Sequence, residues 1–142
     1  GSVTMGTEDL EWIDGAKRFE YGGRTFSYDT AMIAGMSYIE RLGIEQVEAH
    51  ARRLSERFHA GLAEIPGATI RSTRQLERAN GINTVSLDNL GGADFSAALR
   101  DRYRIIQRPA LRASSVRFSL ACYIEASDID FLLEAIATLA SE

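Results

Sequence analysis

Apolar residues recur along this chain with two different periods. From Ser27 to Leu42, Tyr28, Met32, Met36 and Ile39 fall at spacings of three and four, the repeat of one helical face, and Gly43 stops the run. From Ile44 to Ile65 the pattern is stronger. Ile44, Val47, Ala51, Leu54, Phe58, Leu62 and Ile65 alternate three and four without a break, and Pro66-Gly67 ends them. The period then shortens. Ala68 to Ser72 reads as a short strand, Thr73 to Asn80 as a polar connection, and Ile82 to Leu87 as a strand with Val85 and Leu87 on one face. Asn89 to Gly92 is a turn and Asp94 to Tyr103 a helix; Arg104 to Arg108 is a strand ended by Pro109. Ser115 to Leu120 alternates strictly, with Val116, Phe118 and Leu120 facing one way and Ser115, Arg117 and Ser119 the other. Ser127 and Asp130 form a capping-box-like start for a last helix striped by Ile129, Leu132, Leu133, Ile136 and Leu139.

Residues 1–26 follow neither period. They carry Trp12, Phe19, Tyr21 and Phe26 among glycines 6, 15, 22 and 23, and read as an extended lead-in that lies on another surface, followed by a domain over 27–142. The element order is ααββαββα. That order predicts an α+β fold: a small antiparallel or mixed four-stranded sheet with helices packed on one face. The helices should cover the face carrying Val116 and Phe118, which leaves the face of Arg117 for solvent or for another domain.

Charge narrows the function. With 20 acidic against 16 basic residues the net charge is -4, so nothing supports a nucleic-acid or anionic-membrane partner. Arg52 and Arg53 sit among Glu45, Glu48 and Glu56 and read as a solvated helix face. No apolar run is long enough to cross a bilayer and no signal-peptide pattern opens the chain. Cys122 is the only cysteine, which excludes an internal disulfide and a cysteine-rich zinc site and fits a reducing cytoplasm.

Candidate chemistry is sparse. His50 and His59 are nine residues apart on one helix, about half a turn out of phase, so they cannot share a metal, and no metal site is expected. Lys17, the only lysine, lies in a polar stretch beside Arg18 and reads as a solvated charge. Cys122 has no histidine near it in sequence and reads as a small packed residue. Ser55, Ser119 and Ser127 lack the glycine-flanked turn of a hydrolase nucleophile, and Gly91-Gly92 is too short to cradle a phosphate. Arg117 stands apart. A guanidinium on the polar face of a central-looking strand is either an exposed strand arginine or a bidentate carboxylate binder.

The stretch Arg18-Phe19-Glu20-Tyr21-Gly22-Gly23-Arg24-Thr25-Phe26, followed by a Met/Ala/Gly-rich helix and Tyr38-Ile39-Glu40-Arg41-Leu42-Gly43-Ile44-Glu45, resembles the class V aminotransferases. That family includes cysteine desulfurases, selenocysteine lyases, isopenicillin-N epimerase-like proteins and kynureninase. Ile105-Ile106-Gln107-Arg108-Pro109 and Val116-Arg117-Phe118-Ser119 agree with it in order. The resemblance implies the small C-terminal domain of a pyridoxal-phosphate enzyme acting on an amino acid, part of a homodimer, and inactive by itself because a larger domain carries the cofactor lysine. It implies that Arg117 holds the substrate α-carboxylate. It implies that Gly22, Gly23 and Thr25 approach the cofactor phosphate, Thr25 standing in for a threonine that relatives often have where Gly23 stands. No catalytic residue and no bound cofactor are expected within this chain alone. Ala121-Cys122-Tyr123-Ile124 lacks the histidine or asparagine often found there, which leaves transamination, desulfuration, epimerisation and elimination open. The other reading is a non-catalytic α+β module for small-molecule binding or dimerisation.

Overall fold

The computed structural model describes residues 3–5, 10–12, 14–19, 26–75, 81–110 and 114–142. The chain divides into two units, Gly1–Arg41 and Leu42–Glu142. In the first, β1 (Val3–Met5) pairs antiparallel with β2 (Leu10–Trp12), Thr4 opposite Glu11. A short 3-10 helix (Ala16–Phe19) and α1 (Phe26–Leu42) follow. The stretch read as an extended lead-in thus contains two paired strands, each of three residues and too short to show a period. The stripe of α1 is helical as its spacing predicts, yet Tyr28, Met32 and Met36 are 76%, 69% and 60% exposed.

The second unit opens with α2 (Ile44–Ala63), then β3 (Ala68–Ile70), β4 (Ile82–Leu87), α3 (Gly92–Tyr103), β5 (Arg108–Pro109), β6 (Val116–Ser119) and α4 (Ala126–Ala140). From α1 onward the order is ααββαββα, and the fold is α+β. The sheet is antiparallel throughout with strand order β3-β4-β6-β5. Its inner face carries Val85, Leu87, Val116 and Phe118, all buried, beneath Leu54, Phe58 and Leu62 of α2, Phe95 and Leu99 of α3, and Ile129, Leu132 and Ile136 of α4. The Phe118 ring is the hub. It meets Phe58 and Phe95 edge to face, with centroids 5.6 and 6.4 Å away.

One polar residue interrupts this apolar layer. Asn83, 1% exposed, donates through Nδ2 to Ser55 Oγ (3.1 Å) and the Gly81 carbonyl (3.4 Å). Its Oδ1 can then only accept, so His59 must carry its proton on Nε2 to make the 2.7 Å bond. Two side chains of α2 are thereby fixed to β4 through one amide. Just before β4, Gly81 has φ 76°, and a Cβ there would stand 2.8 Å from the Leu120 carbonyl oxygen, so the approach of the chain after β6 requires glycine.

Two local expectations are corrected. The stretch Arg104 to Gln107 is not strand. No glycine follows α3, so Arg104 itself turns left-handed (φ 60°) and closes the helix, its amide bonding the Arg100 carbonyl and that of Ile105 the Leu99 carbonyl. Only Arg108 and Pro109 remain to pair, at the sheet edge where proline's missing N–H is tolerated. The last helix is capped by Glu125 and Asp128 rather than by Ser127 and Asp130: the Asp128 carboxylate accepts from the Glu125 amide at 2.8 Å, while Asp130 pairs with Arg57. Both histidines lie on α2 and bond elsewhere, His50 donating to the Ile124 carbonyl at 2.9 Å. Among the described residues no His, Cys, Asp and Glu group could hold a metal ion, and no helix is long and apolar enough to cross a membrane.

Candidate functional site

The alternation of β6 decides what each side of the sheet offers. Val116 and Phe118 are buried, while Arg117 and Ser119 are exposed on the outer face. Register then brings residues from distant parts of the chain beside Arg117. Thr84 of β4 lies directly opposite on one side and Arg108 of β5 on the other. Directly paired residues point to the same face, so both belong to the outer surface. Arg71, just past β3, extends the row: its amide donates to the Thr84 carbonyl at 2.7 Å. Its side chain folds along the outer face, Nε donating to Ser86 Oγ at 2.9 Å, which leaves Ser86 only 2% exposed.

The result is a transverse line, Arg71–Thr84–Arg117–Arg108, across one face of four strands. Ion pairs elsewhere in the unit join Arg52 to Glu48, Arg57 to Asp130, Arg100 to Asp101 and Arg102 to Glu142. None of the three arginines of the row has a carboxylate partner among the described residues. Guanidiniums held this way can bind a planar carboxylate bidentately.

At the end of β6 a cleft of about 430 Å³ opens beside the helix-covered side of the sheet, lined by Phe118, Ser119, Ile129 and Leu132 together with Ile106 and Tyr123 among others. Ile106 and Tyr123 are 83% and 78% exposed there. Cys122 is half-buried in the turn after β6.

Of the residues singled out in the sequence, Arg117 is on the outer face. Gly22, Gly23 and Thr25 lie outside the described residues. Lys17 falls in the 3-10 helix Ala16–Phe19, in the first unit. The sequence pattern singles out neither Arg108 nor Arg71. Arg108 stands at the end of an expected strand, but its pairing with Arg117 depends on register, and no local pattern encodes that. The unit that carries the arginine row contains no lysine, so it offers no amine to hold pyridoxal phosphate covalently.

The chain matches the family described as Aminotransferase class-V over residues 2–132. A mitochondrial cysteine desulfurase of Eremothecium gossypii is 27% identical over 139 residues, covering 82% of this chain and 28% of that protein. Among solved structures, the apo cysteine desulfurase of Thermococcus onnurineus superposes with a TM-score of 0.77 at 23% identity over 97% of this chain and 37% of its own. A cystine C–S lyase, solved with its product cysteine persulfide, superposes with a TM-score of 0.75 at 22% identity over 96% of this chain and 36% of its own. At such identities these structures establish the shared fold. The chain spans about a third of the length of the proteins it matches.

Proposed function

Given that this chain belongs to the class V aminotransferase family, whose enzymes depend on pyridoxal phosphate, we propose that it is the substrate-holding small domain of such an enzyme acting on an amino acid. The observation that carries the reading is Arg117, on the sheet face opposite the core and without a carboxylate partner among the described residues. The cofactor, when bound, acts as the electron sink for the amino acid's bonds, and the lysine that holds it belongs to a larger domain. This chain's part is to bind and orient. Arg117 grips the α-carboxylate through two parallel N–H···O contacts, and the Thr84 and Ser119 hydroxyls neighbour it on the same face. The exposed wall of Ile106, Tyr123 and Phe131 packs toward the large domain and helps exclude water.

By itself the chain is inactive in this reading. In the whole enzyme two copies associate, with Gly22, Gly23 and Thr25 directed to the cofactor phosphate, in a reducing cytoplasm. The cysteine desulfurase and C–S lyase names of the relatives support a sulfur-containing amino acid as substrate.

The test is kinetic. In the full-length enzyme Arg117→Ala should lower kcat/KM for the amino-acid substrate by about 2–4 kcal/mol in transition-state binding, with unchanged thermal stability. Arg117→Lys should recover little, because an ammonium lacks the planar fork. Wild-type kinetics in both variants would overturn the assignment.

A further inference from the structure

We propose that β3 is an open sheet edge on which a second copy of this chain docks its own β3, antiparallel about a two-fold axis. This contact goes beyond the function proposed above and does not rest on it.

The two edges of the sheet differ. At β5 the edge residue Pro109 has no N–H to offer, which blunts that edge against further pairing. β3 is Ala68-Thr69-Ile70, with neither a charge nor a proline in it. Register shows which backbone groups it leaves over. The Asp88 N–H donates to the Gly67 carbonyl at 3.0 Å and the Arg71 N–H to the Thr84 carbonyl at 2.7 Å. Bonded pairs alternate with unbonded ones in an antiparallel ladder, so Thr69 turns its backbone groups toward β4, while Ala68 and Ile70 turn theirs away from it. The Ala68 N–H bonds the Ile65 carbonyl at 3.2 Å. The N–H and C=O of Ile70 have no partner among the described residues, and they leave one donor and one acceptor side by side on the edge.

The edge is self-complementary. Ile70 placed opposite Ile70 of a second copy exchanges both bonds, as a two-fold axis between them permits. In that register both isoleucines lie on the helix-covered side of the sheet. There a groove of about 320 Å³ runs between α2 and β3, lined by His59, Ala60, Ala63, Ala68, Ile70 and Arg74 among others. Ala60 and Ala63 are exposed on the flank of α2 and small enough to let the α2 helices of two copies run side by side. The charges match as well. Glu64 and Asp88 stand exposed near the start of β3, and Arg71 and Arg74 stand exposed past its end. Antiparallel pairing sets the acidic end of each copy against the basic end of the other. A uniformly acidic or basic peptide laid on the same edge meets like charge at one end.

The chain is followed by sedimentation from about 10 μM to 1 mM, a range suited to an interface built on so short a strand. A monomer–dimer equilibrium should appear. The Ile70 amide should exchange its hydrogen roughly 10-fold more slowly in the concentrated sample than in the dilute one. Ala63→Arg suits a helix C-terminus but fills the groove, so it should abolish the dimer and keep the Tm of the dilute chain. Glu64→Arg and Arg74→Glu should each weaken the dimer about 10-fold, and the double variant should recover most of the affinity, because its two ends have exchanged signs. A chain that stays monomeric throughout the range would overturn the proposal. So would a dimer in which the Ile70 amide exchanges freely, since the copies then meet through another surface, the exposed apolar residues of α1 among the candidates. If Ala63→Arg fails to fold, exchange of the Ile70 amide in the wild-type chain decides by itself.

Discussion

Val116 and Arg117 are adjacent in the chain and stand on opposite faces of β6. Behind Val116 the sheet meets three helices through aromatic and branched side chains; in front of Arg117 it presents a line of guanidiniums without carboxylate partners among the described residues. The inner face obtains its free energy from burial, about 25 cal/mol per Å² of apolar surface. The outer face contributes little of that kind, and its arginines repel one another. In the proposed function, stability and recognition are thus held by alternate residues of the same strands. A two-residue period lets one element serve both without either set of side chains compromising the other.

Phe118 offers the largest way to sharpen this contrast. It lies at the centre of the inner face, so Phe118→Ala should cost about 3–5 kcal/mol and leave little folded protein, read by denaturant unfolding. Asn83 is the place where the comparison could break, because it is a polar residue in the apolar layer. Asn83→Ala strands the His59 Nε2–H and the Ser55 hydroxyl, and should cost about 2 kcal/mol despite the gain in apolar character. A neutral or stabilising result would show that the inner face needs only apolar filling.

The smallest effect is expected at the exposed ion pairs. Hydrogen bonds from Arg57, aided by its charge, hold the Asp130 carboxyl below the ordinary carboxylate value. A depressed carboxyl stabilises the fold above its unfolded pKa, and that stability is lost as pH falls through the folded pKa. Asp130→Asn should therefore lower Tm slightly at neutral pH, and the gap to wild type should close in acid. Water screens the pair, so the shift should be small and should shrink further in high salt.

Much of the fold is legible in the sequence because its signals are local. The three-and-four spacing of Leu54, Phe58 and Leu62 marks α2, and the alternation around Arg117 marks both β6 and the face on which the arginine stands. What escapes depends on partners far away in sequence. Arg108 opposite Arg117 is a fact of register, and Arg71 beside Thr84 depends on the antiparallel pairing of β3 with β4. The capping of α4 by Glu125 is hidden for a different reason. Serine at 127 is the commoner cap type, and here the reciprocal bond of Asp128 selects a start two residues earlier. A left-handed arginine at 104 is equally hidden, since most such positions carry glycine.

That one strand keeps structure on one face and recognition on the other is tested most directly by Val116→Ala and Arg117→Ala, made side by side in the full-length enzyme and read through Tm and kcat/KM. Val116→Ala should lower Tm while the folded fraction keeps its kcat/KM. Arg117→Ala should keep Tm within experimental error and lose kcat/KM by roughly two orders of magnitude, the equivalent of about 3 kcal/mol. Parallel losses of stability and activity in both variants, or an Arg117→Ala enzyme as active as wild type, would contradict the account.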